Sequence, residues 1–139
     1  MKHDIGTKKS GRLAALLMLS AVLWSCGSGA ADKAGVRHLS AEEAKAYLGK
    51  DDVLFLDVRL PIELRLQGTI RSALNIPSGD LPERLAEIPK DKSIVTFCSH
   101  GVRAADAAQL LASKGYRVAG AFALNDWKAK NYETVSPAD

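Results

Sequence analysis

Apolar runs of strand length alternate with helix-like segments along residues 40–130. The continuous apolar run at residues 53–58 is typical of a strand that is buried on both faces. Shorter runs and periodic segments predict the other elements: strands at residues 73–76, 94–97 and 118–121, and helices at residues 41–48, 80–87, 102–114 and 125–130. Strands that alternate with short helices build parallel sheets. The pattern therefore predicts an α/β fold, a parallel β-sheet flanked by α-helices on both faces.

The first 25 residues have a different pattern from the rest of the chain. Four basic residues and one acid occupy residues 1–12, and residues 13–24 are apolar apart from Ser20. Small residues follow. A basic start, an apolar segment and a small-residue site are typical of a secretory signal. Because the apolar run is shorter than the roughly 20 residues that span a bilayer, we expect a cleaved signal rather than a transmembrane helix.

Residues 23–26, Leu-Trp-Ser-Cys, resemble a bacterial lipobox, in which the cysteine becomes the lipidated first residue of the mature protein. The resemblance implies lipidation at Cys26 and a periplasm-facing place in a bacterial cell envelope. Gly27 stands where an aspartate typically retains a lipoprotein in the inner membrane, which favours the outer membrane. Ordinary signal cleavage after residues 28–30 is the alternative. We expect a signal at residues 1–25, a flexible tether at 26–36 and a folded domain at 37–137.

Processing at this point changes the charge of the chain. The formal net charge is +3, but residues 1–25 hold four basic residues and one acid, so 15 of each sign remain after them. A near-neutral domain offers no basic surface for nucleic acid. Lipidation of Cys26 would leave Cys98 as the only thiol. No Cys and His residues have the spacing of zinc ligands, and we expect no metal and no cofactor.

Cys98 is the strongest candidate for chemistry. It follows the predicted strand at residues 94–97 and precedes a loop with Gly101 that leads into the predicted helix at 102–114. This arrangement aims backbone N–H groups and the positive end of a helix dipole at the sulfur, which favours the nucleophilic thiolate. A buried structural cysteine is the alternative. The polar residues and the glycine directly after Cys98 favour a reactive thiol.

An ordered set of motifs resembles a single-domain rhodanese, a sulfurtransferase family, over residues 38–135. The motifs are Ser40-Ala-Glu-Glu, the strand end Asp57-Val-Arg59, the segment Gly68 to Pro77, the six-residue loop Cys98 to Arg103, and Trp127. Three places depart from the family pattern. Thr69 stands where His is common, Ser72 where Gly is, and Phe122-Ala123 where two glycines precede the tryptophan.

The resemblance implies a two-step sulfur transfer. Cys98 takes the outer sulfur of a donor such as thiosulfate, and the resulting persulfide passes it to cyanide or a thiol. The N–H groups of residues 99–103 converge where the persulfide anion sits. Only four residues separate Cys98 from Arg103, whereas phosphatases and arsenate reductases of this fold use a loop one residue longer. We expect a monomer whose only membrane contact is a lipid anchor.

The residues around Cys98 have alternative roles. Substrate contacts are expected from six of them: Arg59, Ser99, His100, Gly101, Val102 and Arg103. Arg103 either binds an anionic donor or pairs with Asp106, and His100 either contacts the donor or is solvated. Asp57 and Glu63 are expected to support the site, with Arg59 pairing with Glu63 or lining the pocket. Trp127 at helical spacing is more typical of a core residue than of a ligand contact.

Two other functions remain open for the same loop. Cys98 could cycle as a thiol or persulfide relay for a protein partner, which predicts a mixed disulfide and slow turnover of thiosulfate. Alternatively the domain could be a non-catalytic rhodanese-like binding module, in which case Cys98→Ala would leave partner binding intact.

Overall fold

The computed structural model describes residues 35–137. The predicted signal, Cys26 and residues 27–34 of the predicted tether lie outside the described residues. Val36, also assigned to the tether, is 8% exposed and belongs to the hydrophobic core, so packed structure begins before residue 37. Along residues 35–137, no helix combines the length and the apolar character that crossing a bilayer requires.

The described chain folds as a four-stranded parallel sheet with four α-helices. The elements are α1 Ala41–Lys45, β1 Val53–Asp57, α2 Pro61–Gln67, β2 Leu74–Asn75, β3 Ser93–Cys98, α3 Val102–Ser113, β4 Arg117–Ala123 and α4 Leu124–Ala129. The strand order is β2-β1-β3-β4, and every pairing is parallel. The predicted α/β class and parallel sheet are therefore confirmed.

Two hydrophobic clusters lie on opposite faces of the sheet, because successive strand residues point to opposite sides. Leu56 and Ile94 belong to one cluster, where they pack with the small residues of α3. Phe55 and Val95 belong to the other, with residues of α1 and α4, including Trp127. Trp127 is 1% exposed and donates its indole N–H to Glu133 O, which agrees with the core role favoured by its spacing.

One predicted helix is absent and one observed helix was not predicted. Residues 80–87 form turns that end in a short 3₁₀ helix, Leu85–Glu87, rather than an α-helix. So short a segment has little helical stability of its own, and the Tyr116 hydroxyl binds the carbonyl of Leu85 at 2.6 Å. The α2 helix carries a signal that could have revealed it. Pro61 occupies its first turn, and the Leu60 N–H donates to the Glu63 carboxylate at 3.0 Å.

The outer edge of β4 is covered by the segment before α1. His38 forms a parallel bridge with Ala121, whose N–H donates to Arg37 O at 2.9 Å. Leu39 N–H in turn donates to Ala121 O at 2.8 Å. A Cβ atom at Gly120 would lie 2.7 Å from both Arg37 O and the Leu39 side chain. The close approach of this segment therefore requires glycine at position 120.

Candidate active site

The carboxyl end of β3 delivers Cys98 into a tight loop before α3. Cys98 is the last residue of β3 and is 2% exposed. The Gly101 N–H donates to the Cys98 sulfur with an N–S distance of 3.1 Å. The Ser99 carbonyl accepts from Asn125 N–H at 3.1 Å, which ties the loop to the start of α4. The predicted place of the cysteine, at a strand end before a helix N-terminus, is confirmed.

Gly101 shapes the loop. Its φ of 93° and ψ of −24° lie in the left-handed region, and it precedes the first residue of α3. A side chain there would strain the backbone, and its Cβ would lie 3.4 Å from Cε1 of His38. Glycine at this position turns the chain so that the Gly101 amide faces the sulfur.

The Glu63 carboxylate on α2 accepts hydrogen bonds from two residues that follow Cys98. Arg103 donates two hydrogen bonds of 2.8 Å to the two oxygens of the Glu63 carboxylate, and the Ser99 hydroxyl donates to it at 3.2 Å. Arg103 lowers the pKa of Glu63 to about 2. Glu63 in turn raises the pKa of Arg103, with a smaller contribution from Cys98. Arg103 therefore pairs across the loop with Glu63 and not with Asp106.

Arg59 differs from what the sequence predicted. Its side chain is 0% exposed, and it pairs with Asp57 through bonds of 2.9 and 2.7 Å. The same guanidinium donates to Gly68 O at 2.7 Å, and the Thr69 hydroxyl donates to Asp57 at 2.7 Å. The expectations that Arg59 pairs with Glu63 or lines an open pocket are wrong, because Asp57 holds the guanidinium below the surface. Asp57 and Arg59 brace the end of β1.

The other loop residues divide by exposure. Ser99 and Gly101 are buried, whereas His100 is exposed and Val102 is 70% exposed. Gly101, His100 and Val102 line a cavity of about 410 Å³ together with His38 and Ala121. His38 is exposed at the surface beside the loop.

Phe122, which stands where the family pattern has a glycine, does not line this cavity. Phe122 is 0% exposed and packs against Phe97 and Trp127, with ring centroids 5.4 and 6.0 Å away. Its ring therefore fills the hydrophobic core behind the loop. Among residues 35–137, no three His, Cys, Asp or Glu side chains gather in a group able to hold a metal ion.

Comparison with known proteins identifies the family of this domain. The family model "Rhodanese-like domain" matches residues 40–129. The structure of a rhodanese-related protein from Thermoplasma volcanium superposes with a TM-score of 0.66 and 28% identity, covering 73% of this chain and 99% of that one. The chain belongs to the rhodanese-like family.

Three curated proteins that are similar in sequence to this chain are named for different enzyme activities. A protein named sulfurtransferase from Allochromatium vinosum is 42% identical over 66 residues, covering 48% of this chain and 61% of that protein. A tRNA uridine(34) hydroxylase from Cytophaga hutchinsonii is 33% identical over 85 residues, covering 58% and 27%. A mitochondrial thiosulfate sulfurtransferase of Saccharomyces cerevisiae is 34% identical over 101 residues, covering 63% and 68%. The chain thus spans less than two thirds of the first two relatives.

Proposed function

We propose that this protein is a sulfurtransferase that carries a sulfane sulfur on Cys98. The observation that carries the proposal is the position of the Cys98 sulfur, at the end of β3, 3.1 Å from the Gly101 amide. A sulfur anion there receives a hydrogen bond from the loop backbone and faces the N-terminus of α3. Membership in the rhodanese-like family and the sulfurtransferase names of two relatives support the same reaction.

We propose thiosulfate as the donor. The Cys98 thiolate attacks the outer sulfur of thiosulfate and forms a new S–S bond. The bond between the two sulfurs of thiosulfate breaks, and its electron pair leaves with sulfite. The name of the yeast relative supports this donor. The short loop, with four residues between Cys98 and Arg103, favours sulfur over phosphorus chemistry.

The second step returns Cys98 to its starting state. A nucleophilic acceptor, cyanide or a thiolate, attacks the terminal sulfur of the persulfide. The S–S bond to Cys98 breaks, and its electron pair remains on Cys98 as thiolate. The product is thiocyanate when cyanide is the acceptor. The amide of Gly101, which already donates to Sγ, stabilises the sulfur anion that is present before and after each transfer.

Intact-mass measurement on the full chain tests this function. After incubation with thiosulfate, we expect the parent protein to gain the mass of one sulfur atom and the Cys98→Ala variant to gain none. Cyanide should remove the added mass and release thiocyanate. A parent protein that gains no mass under non-oxidising conditions would rule out thiosulfate as the donor, and equal gain by Cys98→Ala would rule out Cys98 as the carrier.

We further propose that Cys26 is lipidated and that the domain faces the periplasm of a bacterial envelope. The support is the sequence at residues 23–26 and the basic and apolar segments before it.

A further inference from the structure

A second and larger cavity lies at the opposite end of the sheet from Cys98. It has a volume of about 710 Å³ and is bordered by Val53, the first residue of β1, and by Lys92, which directly precedes β3. The length of β3 separates this end from Cys98 by about 17 Å, at roughly 3.3 Å per residue. The volume is within the range of small-molecule sites, and nothing in the sulfur-transfer reaction requires it.

The walls of this cavity carry an excess of positive charge. Four cationic residues line it, against the two acids Asp51 and Glu133. Arg71 is paired with Glu133 at 3.0 Å. Of these four, Lys45, Lys50 and Lys92 form no ion pair with a carboxylate of residues 35–137. Lys92 is also partly buried. Such charges attract an anion to the cavity.

Aromatic rings lie beside these lysines. The Lys45 ammonium is 4.0 Å from the centroid of the Tyr132 ring, and the Lys50 ammonium is 5.0 Å from that of Tyr47. Both tyrosines line the cavity and are half-buried. The Tyr132 ring is itself held edge-on by Trp127, with the centroids 5.0 Å apart. Because Lys45 lies over a face of the Tyr132 ring, a flat ring that packs beside Tyr132 would place an attached anionic group next to Lys45.

We propose that this cavity binds a planar aromatic anion of about the size of a mononucleotide. The aromatic part packs beside the tyrosine rings and on the apolar floor that includes Phe55 and Ile70, and the anionic group binds the lysines. A ligand that contacts both the lysines and the aromatic lining must carry a negative charge and a flat ring. The site is separate from Cys98, so its occupation does not depend on the sulfur-transfer reaction.

Calorimetric titration of the full chain tests the proposal. The probes are AMP and naphthalene-1-sulfonate, each compared with a counterpart that lacks the anionic group, adenosine and 1-naphthol. We expect at least one anion to bind in the millimolar range or tighter and its neutral counterpart to bind about tenfold more weakly, as expected for the loss of one charge-assisted contact.

Substitutions of the cavity lysines test whether the anion binds in this cavity. Lys92→Gln and Lys45→Gln should each weaken binding of the anion about tenfold. The matched control Lys114→Gln, an exposed lysine on the other face of the sheet, should bind like the parent, and so should Cys98→Ala. Failure of both anions to bind, equal binding of the neutral counterparts, unchanged binding by both cavity variants, or loss of binding in Cys98→Ala would each overturn the proposal.

Discussion

Replacing Arg59 by methionine tests whether the buried ion pair at the end of β1 supports the fold. In the parent, both side chains of the pair are 0% exposed, and the Asp57 carboxylate accepts the 2.9 and 2.7 Å bonds of the guanidinium. Arg59→Met leaves that carboxylate buried with only the Thr69 hydroxyl and the Arg59 backbone N–H as donors. Removing one partner of a buried pair costs about 3–5 kcal/mol. We expect the free energy of unfolding to fall by about that amount, a large part of the 5–15 kcal/mol typical of a domain.

Urea denaturation monitored by circular dichroism measures this loss. The midpoint should fall by about 2 M, given slopes of about 1–3 kcal/mol per M. Thr69→Val, which removes a single 2.7 Å bond to Asp57, serves as a milder comparison with an expected loss of about 1–2 kcal/mol. The double variant Asp57→Leu/Arg59→Met removes both charges of the pair. Its loss of unfolding free energy should be at least about 2 kcal/mol smaller than the sum of the losses measured for Asp57→Leu and Arg59→Met separately.

Two results would refute this reasoning. One is a loss below about 1 kcal/mol in Arg59→Met, which would mean that water or another group compensates the carboxylate. The other is a double variant that costs as much as the two single variants together. Under conditions where Arg59→Met is folded, it should still take up sulfur from thiosulfate, because the buried Arg59 guanidinium bonds to Asp57 and Gly68 rather than to the loop of residues 98–103.

Three further predictions concern the loop, its ion pair and the N-terminal segment. Gly101→Ala should abolish persulfide formation and lower the unfolding free energy by about 1–2 kcal/mol, because φ is 93° there; normal uptake by intact mass would contradict this. The pKa of Glu63 is depressed to about 2, so the Glu63 carboxylate contributes about 1–2 kcal/mol to the free energy of unfolding above pH 4.5, and this contribution is lost as the pH falls toward 2. Urea titrations of Glu63→Gln at a series of pH values should lack this acid-dependent loss. A variant with the same pH profile as the parent would disprove the prediction. Cys26→Ser should prevent incorporation of labelled palmitate in a bacterial host, whereas labelling of the variant would exclude lipidation at Cys26.

The strands and the Cys98 loop could be predicted because their signals are local. An apolar run followed by Cys98, a loop glycine and a helical segment implies the observed geometry with no knowledge of distant contacts. The α2 helix was missed because its apolar residues do not form a buried face. Ile62 and Leu66 are 47% and 76% exposed, and only Leu64 is buried.

Side-chain pairing was less predictable than the backbone. Glu63 was assigned a supporting role but with the wrong partner, since Arg59 lies four residues before it in the chain whereas Arg103 lies 40 residues after it. The choice depends on where β1 ends relative to the sheet. Arg59 lies against the buried Asp57 carboxylate there, while Glu63 on α2 faces Arg103 at the start of α3. Local spacing contains no information on that three-dimensional choice.

The covering of β4 by residues 37–39 has a consequence for self-association. A sheet with open edges can recruit strands from other molecules and grow into aggregates. Here one outer strand, β2, has only two residues, and the other, β4, already bonds through Ala121 to the incoming segment. Substituting Gly120 would push that segment away, since Arg37 O lies 2.7 Å from the position of the new Cβ. This glycine therefore protects the folded protein against edge-to-edge polymerisation.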